Sequence, residues 1–228
     1  MKRLILLRHG QSQWNLENRF TGWTDVELSD TGLEEARRAG LMMSQAKIFP
    51  DVCFTSYLRR AIHTQQIALA AMNRDWVPCI KDWRLNERFY GALQGLNKEE
   101  TAKEYGEKQV HIWRRSYDVQ PPAITPDDPR FPGFDPRYNE IPRQLLPLTE
   151  SRKDPIDSGE PFYNNMIVKA LKNYSNVLIT AHGNSLRGLV MNLLNLSPEQ
   201  ISNYEIPTGV PIVFELDSEL QVMRHYQL

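Results

Sequence analysis

The sequence predicts an α/β fold of three layers, a mostly parallel central sheet with helices on both faces. Apolar runs of strand length recur at residues 4–7, 52–55 and 177–180, as expected of strands covered on both faces. Helical patterns fall between the runs, which is the rhythm of a parallel sheet. Two of the runs also end in the same corner, LILLRHGQS (4–12) and VLITAHGNS (177–185).

In chain order, Thr31-Gly32-Leu33-Glu34 has capping-box spacing and opens a helix running to about Ala46. A second helix is expected from near Ser56 through RRAIHTQQIALAAM, and a third after Asn184 through SLRGLVMNLLN, stopping near Asn195. Ser197-Pro198-Glu199 starts a short helix with Pro at its first position. Residues 210–216 and 221–226 read as late strands. The whole chain, 1–228, reads as one domain, interrupted by a Pro-rich excursion at about 119–161. Ten of the fifteen prolines lie between 121 and 161, so that segment cannot be one regular element. Its Phe131, Phe134, Tyr138, Ile141, Leu145 and Leu146 argue for an ordered excursion, because disordered segments are poor in such residues.

Composition narrows the function. A chain of 228 residues, 41% hydrophobic and 24% charged, can bury a sizeable core and is ordinary for a globular protein. The formal net charge of −1 gives no bulk attraction to nucleic acid or an anionic membrane, so a bound anion must be caught by a few arranged cations. Met1-Lys2-Arg3 before the apolar run suggests a signal peptide, but the run is too short and Arg8-His9 ends it. No segment approaches the ~20 apolar residues of a membrane span. Cys53 and Cys79 form no CxxC pair and read as two buried, reduced thiols of a cytoplasmic protein, with a disulfide left open.

The twin corners carry the chemistry. In an open α/β sheet ligands sit beyond the carboxyl ends of the strands, so His9 and His182 meet in one crevice if their strands are neighbours. The Gly after each His allows a sharp turn and close approach to a ligand. A lone histidine is as often a packed core residue as a functional one, but two in the same context are a stronger signal. His63, His111 and His225 lack that context and read as structural. No His or Cys pair has metal-ligand spacing, so no metal is expected. A serine-hydrolase elbow at Ser185 fails because Gly is needed where Arg187 stands. Histidine as nucleophile fits better, since imidazole is substantially neutral near pH 7. Phosphoryl transfer then needs guanidinium groups, and Arg8 and Arg59-Arg60 supply them. No GxxxxGK[ST] or GxGxxG is present, so no nucleotide is indicated.

RHGQSQWNLENRFTGWTDVELSDTG (8–32), TSYLRRAIHT (55–64), LNERFYGALQGLNK (85–98) and AHGNSLR (181–187) together resemble the 2,3-bisphosphoglycerate-dependent phosphoglycerate mutases of the histidine phosphatase superfamily. WRRSYDVQPP, DPRY, LPLTES and IPTGVP extend the resemblance in order along essentially the whole chain. It implies that His9 is the phosphorylated residue and His182 stabilises the transferring group, which Arg8 and Arg60 hold. Asn15 and the amides of Gly183-Asn184 would lend donors, and Glu87 would be the general acid/base. Tyr90, Lys98, Arg114 and Arg115 would bind the carboxylate and distal phosphate, with Thr21-Gly22 closing the substrate loop. Without the resemblance, Arg114-Arg115 would read as a solvated helix face, as Arg37-Arg38 do.

The implied activity is the glycolytic and gluconeogenic interconversion of 3- and 2-phosphoglycerate, primed by 2,3-bisphosphoglycerate without metal. A cytoplasmic homo-oligomer, dimer favoured, is implied with it. The alternatives are a phosphatase or a bisphosphoglycerate synthase of the same superfamily, Ser12 speaking mildly against the latter. A catalytically dead scaffold is the least expected reading, since His9, Glu87 and His182 are all present. Departures from the family pattern are Gln11 for Glu, near the phosphoryl site, and Phe89 for His. Residues 152–171 hold Pro155, Gly159 and Pro161, which are expected to break a longer helix. Relatives that continue beyond the position of Leu228 cover the site with a polar tail, so a less closed pocket with more hydrolysis is expected.

Overall fold

The computed structural model describes residues 1–228, Ser158 by its backbone alone. Its centre is a six-stranded sheet of β1 (Lys2–Arg8), β2 (Val52–Thr55), β3 (Cys79–Lys81), β4 (Asn176–Ala181), β5 (Pro211–Leu216) and β6 (Val222–Gln227), in the order β3-β2-β4-β1-β5-β6. The first four neighbours pair in parallel, and β5 runs antiparallel to both β1 and β6. The helices are α1 (Gln13–Leu16), α2 (Asp30–Gln45), α3 (Arg59–Ala71), α4 (Lys98–Tyr105), α5 (Glu107–Arg115), α6 (Lys153–Phe162), α7 (Val168–Asn173), α8 (Gly183–Leu194) and α9 (Pro198–Asn203).

The period-two alternation of β1 builds the layers. Leu4 and Leu6 join a core with Phe162, Ile167, Leu186 and Val190 of the α6–α8 face. Ile5 and Leu7 join one with Ala39 and Met43 of α2 and Ala68 and Leu69 of α3. All four β1 side chains are fully buried, which makes the expected three-layer α/β fold the observed one. The register sets Arg8 of β1 beside Ala181 of β4, so the residues that follow, His9 and His182, leave the sheet side by side.

Several elements differ from expectation. The second helix begins at Arg59 rather than near Ser56. Helix α2 begins at Asp30, capped by Ser29, whose hydroxyl accepts the Gly32 amide at 3.2 Å. Thr31 is therefore inside the helix, not its cap. Residues 153–173 are almost continuously helical, with a π-helical turn at Tyr163–Ile167 joining α6 to α7. Pro155 lies in the first turn, where no intrahelical donor is lost, and the π turn begins at Tyr163, two residues after Pro161. Cys53 and Cys79 face each other across β2 and β3 as free thiols, Cys53 buried but Cys79 exposed. In the Pro-rich excursion Phe131, Tyr138 and Leu146 pack with Trp23, Phe89 and Ile124, whereas Phe134 and Leu145 are exposed.

Gly10 does not have the left-handed backbone that a sharp turn suggests; it is needed for close approach. A Cβ there would lie 2.3 Å from the Gly32 carbonyl oxygen, and one on Gly32 would lie 2.0 Å from that of Gln11. Backbone against backbone cannot yield as a flexible side chain can. Gly32→Ala is therefore expected to destabilise the fold by about 1–3 kcal/mol or more, read as a lower urea midpoint at unchanged m-value.

Candidate active site

The His9 and His182 rings lie 4.9 Å apart between centroids, tilted by 58°. His9 Nδ1 is 2.7 Å from the Gly10 carbonyl. A carbonyl oxygen only accepts, so Nδ1 carries the proton and Nε2 keeps its lone pair. His182 Nε2 shares a 2.8 Å hydrogen bond with the Ser56 hydroxyl, while its buried Nδ1 has no partner among the described residues. Burial pushes both imidazoles well below their ordinary pKa, and Arg60 and Arg8 add to the shift. Both rings are therefore held neutral.

Arg60, from the first turn of α3, is buried and donates to the carbonyls of Gly22 (2.8 Å) and Thr24 (3.0 Å). Burial pushes its guanidinium down to about 10, while Glu87 and Asp25 favour its charge. Gly22 takes φ +56°, and a Cβ there would meet Gln94 Oε1 at 2.0 Å. The same Gln94 oxygen accepts the Trp23 amide, so the Thr21-Gly22 loop is fixed from below. Arg8 donates Nη1 to the Ile206 carbonyl and leaves Nε buried without a partner among the described residues. Asn15 and Ser12 cap α1 reciprocally, which holds Asn15 at the pocket wall.

Glu87 stands where α8 begins. One carboxylate oxygen accepts the Asn184 side-chain amide at 2.8 Å, the Asn184 backbone N–H at 3.3 Å and the Arg88 N–H at 2.8 Å. These donors, with the positive end of α8, fix the carboxylate in place. Tyr90 packs on Phe20 and lies under the Arg88 guanidinium at 4.3 Å. Lys98 opens α4, and Arg114 and Arg115 close α5. Burial, the largest cause in each case, pushes Lys98 and Arg114 below their usual values.

These groups enclose a cavity of about 210 Å³. Thirteen of the fourteen residues expected at the site line it, and His182 lies behind His9, fully buried. Arg19, Phe20, Arg152 and Arg187 also line it, and sequence reasoning did not assign them there. Arg187 falls four residues after Gly183, on the same helix face, a spacing that could have flagged it. Eight cationic side chains thus face a single carboxylate, Glu87, among the described lining residues. His63, His111 and His225 are not among them. Gln11 does not line the cavity: its side-chain oxygen accepts from the Ser29 hydroxyl at 2.8 Å. Phe89 is fully buried against Trp23. No group of three or more His, Cys, Asp or Glu that could hold a metal ion occurs among the described residues, nor does a helix long and apolar enough to cross a membrane.

Fold and site together define an α/β protein in which two buried imidazoles meet at the base of a cavity with a cationic wall. The chain belongs to the histidine phosphatase superfamily (branch 1), whose sequence profile matches residues 4–145. Its fold is similar to that of the alpha-ribazole phosphatase of Shigella flexneri, with a TM-score of 0.72 at 20% identity over 97% of this chain and 94% of that one. It is also similar to a mycobacterial glucosyl-3-phosphoglycerate phosphatase, with a TM-score of 0.73 at 22% identity over 100% and 97% of the two chains. The YhfR protein of Bacillus stearothermophilus gives 0.71 at 21% identity over 97% and 94%.

Proposed function

We propose that this protein is a phosphoglycerate mutase that works through a phosphohistidine at His9 and is primed by 2,3-bisphosphoglycerate. The observation that carries the reading is the cavity itself: eight cations and one pinned carboxylate beside a neutral histidine pair. A wall so charged, in a chain of net charge −1, suits a small acid bearing more than one anionic group. Bound bisphosphoglycerate supplies the phosphoryl group that first loads His9.

The residues divide the work as follows. His9 Nε2 carries the phosphoryl group, with Arg8 and Arg60 neutralising its equatorial oxygens and His182, itself neutral, stabilising the group as a hydrogen-bond donor. The free hydroxyl of the bound monophosphate attacks phosphorus, breaking the P–N bond, while Glu87 takes the hydroxyl proton. In the return step His9 attacks the other phosphate, and Glu87 gives the proton back to the departing oxygen. Lys98, Tyr90, Arg114 and Arg115 hold the carboxylate and the phosphate not in transit, and Asn15, Thr21-Gly22 and Gly183-Asn184 position the rest. The mutase assignment is tested by assaying 3-phosphoglycerate conversion with and without 2,3-bisphosphoglycerate. Primer-dependent 2-phosphoglycerate is expected, and its absence overturns the assignment.

A second reading, hydrolysis, draws support from two structural neighbours described as phosphatases. In it water replaces the acceptor hydroxyl, Glu87 takes the water proton, and phosphate leaves. Both readings need neutral His9. Its ordinary pKa of 6.5 is lowered by burial and by Arg60 and Arg8, so the nucleophile stays unprotonated below pH 6.5. The acidic limb of kcat/KM, which reports the free enzyme, is therefore expected below pH 6.5 once the substrate phosphate's own ionisation near ~6 is allowed for. A limb at or above 6.5 contradicts this.

A further inference from the structure

Arg152 stands at the N-cap of α6 and lines the cavity, yet is only 7% exposed. Its Nε and Nη1 are buried without a hydrogen-bond partner among the described residues. The strongest charged influences on it are other cations, Arg187, Arg88 and Arg115, with Tyr90 as the one acidic group among them. Arg187 reaches in from α8 and, among the described residues, donates to the carbonyls of Tyr204 (3.1 Å) and Gly183 (3.2 Å). A cavity of about 10 Å³ touching both arginines holds one water at most. Such a water satisfies an N–H but leaves the charge unbalanced.

A buried guanidinium with no counterion is costly, and an apolar side chain of similar volume would serve the fold better. The Arg152 guanidinium does no capping work for the fold either, because α6 has no side-chain cap hydrogen bond and the turn before it is closed by Asp154, which accepts the Ser151 N–H and hydroxyl. What removes the cost is an anion that accepts from the planar fork.

We propose that Arg152 and Arg187 form a further anion subsite, which selects small acids bearing at least two anionic groups besides the phosphoryl group at His9. This deepens the proposed function and rests on its placement of phosphoryl transfer at His9. The subsite adjoins Arg115 and acts on binding rather than on the chemical step.

The test compares p-nitrophenyl phosphate, 3-phosphoglycerate and 2,3-bisphosphoglycerate, which carry one, two and three anionic groups. Arg152→Gln is expected to raise KM for 2,3-bisphosphoglycerate by about 10–100-fold, the loss of a charge-assisted fork. The rise should be smaller for 3-phosphoglycerate and smallest for p-nitrophenyl phosphate, with kcat changed less than KM in each case. Arg152→Lys, which restores the charge but not the fork, should recover part of the loss. An equal rise for all three substrates, or none, overturns the subsite. Melting without ligand supplies a second readout. Arg152→Gln should melt at or above the wild-type temperature, while the upshift given by 2,3-bisphosphoglycerate shrinks. A lower melting temperature with an unchanged upshift makes Arg152 structural and overturns the proposal. If the wild type turns over none of the three substrates, the proposed function falls, and the melting upshift still decides the subsite.

Discussion

With His9→Ala, kcat/KM is expected to fall by at least about 10⁴-fold, roughly 5 kcal/mol of transition-state stabilisation. No acid-labile phosphoryl label should then be retained from 2,3-bisphosphoglycerate. The size follows from the geometry. His9 alone of the pair has its Nδ1 proton tied to a backbone carbonyl, which leaves Nε2 aimed as a nucleophile. His182 is committed through Nε2 to Ser56 and lies behind His9, so it cannot take over the attack. His9→Gln keeps a polar side chain of similar bulk and separates loss of chemistry from loss of fold. Persistent acid-labile label in either folded variant would show that the nucleophile is elsewhere.

The second large effect is expected at Glu87. Glu87→Gln keeps an oxygen to accept from Asn184 and Arg88 but can no longer take a proton. A fall of about 10²–10⁴-fold in kcat is expected, the usual range for a lost general acid–base group. KM should change much less, because the cations that bind substrate are untouched. Steady-state kinetics with 3-phosphoglycerate check this, and an unchanged kcat would remove Glu87 from proton transfer. Gln also deprives Arg60 of one of the two carboxylates that favour its charge, so part of the loss acts through the transfer site.

The parts of the fold legible in the sequence are those with an unopposed local signal. Strands β1, β2 and β4 are apolar enough to read without neighbours, and α8 ends where Asn195 takes the left-handed conformation expected of a helix stop. Strand β3 escaped because it is three exposed residues at the sheet edge. The start of α2 differs because Thr31 has capping-box spacing to Glu34, whereas the hydroxyl that accepts a first-turn amide, that of Gly32, belongs to Ser29. The long helix over 153–173 was masked by Pro155 and Pro161, whose cost depends on their position in the turn and not on their presence.

The site was legible where residue type and position spoke together, as at His9, His182 and Arg60. Arg152 gave no such signal, because an isolated arginine in sequence reads as solvated and only packing buries it. Gln11 departs from the family pattern two residues after His9, yet its side chain turns toward Ser29. Adjacency in sequence does not set which way a side chain points.

In the proposed reaction His9 returns its phosphoryl group to a phosphoglycerate and not to water. Following 3-phosphoglycerate by phosphorus NMR after priming with 2,3-bisphosphoglycerate measures both fates in one tube. A 2-phosphoglycerate signal that grows well ahead of inorganic phosphate is expected in the wild type, and none in His9→Ala. Inorganic phosphate growing first, with no 2-phosphoglycerate, would contradict this and make the protein a phosphatase.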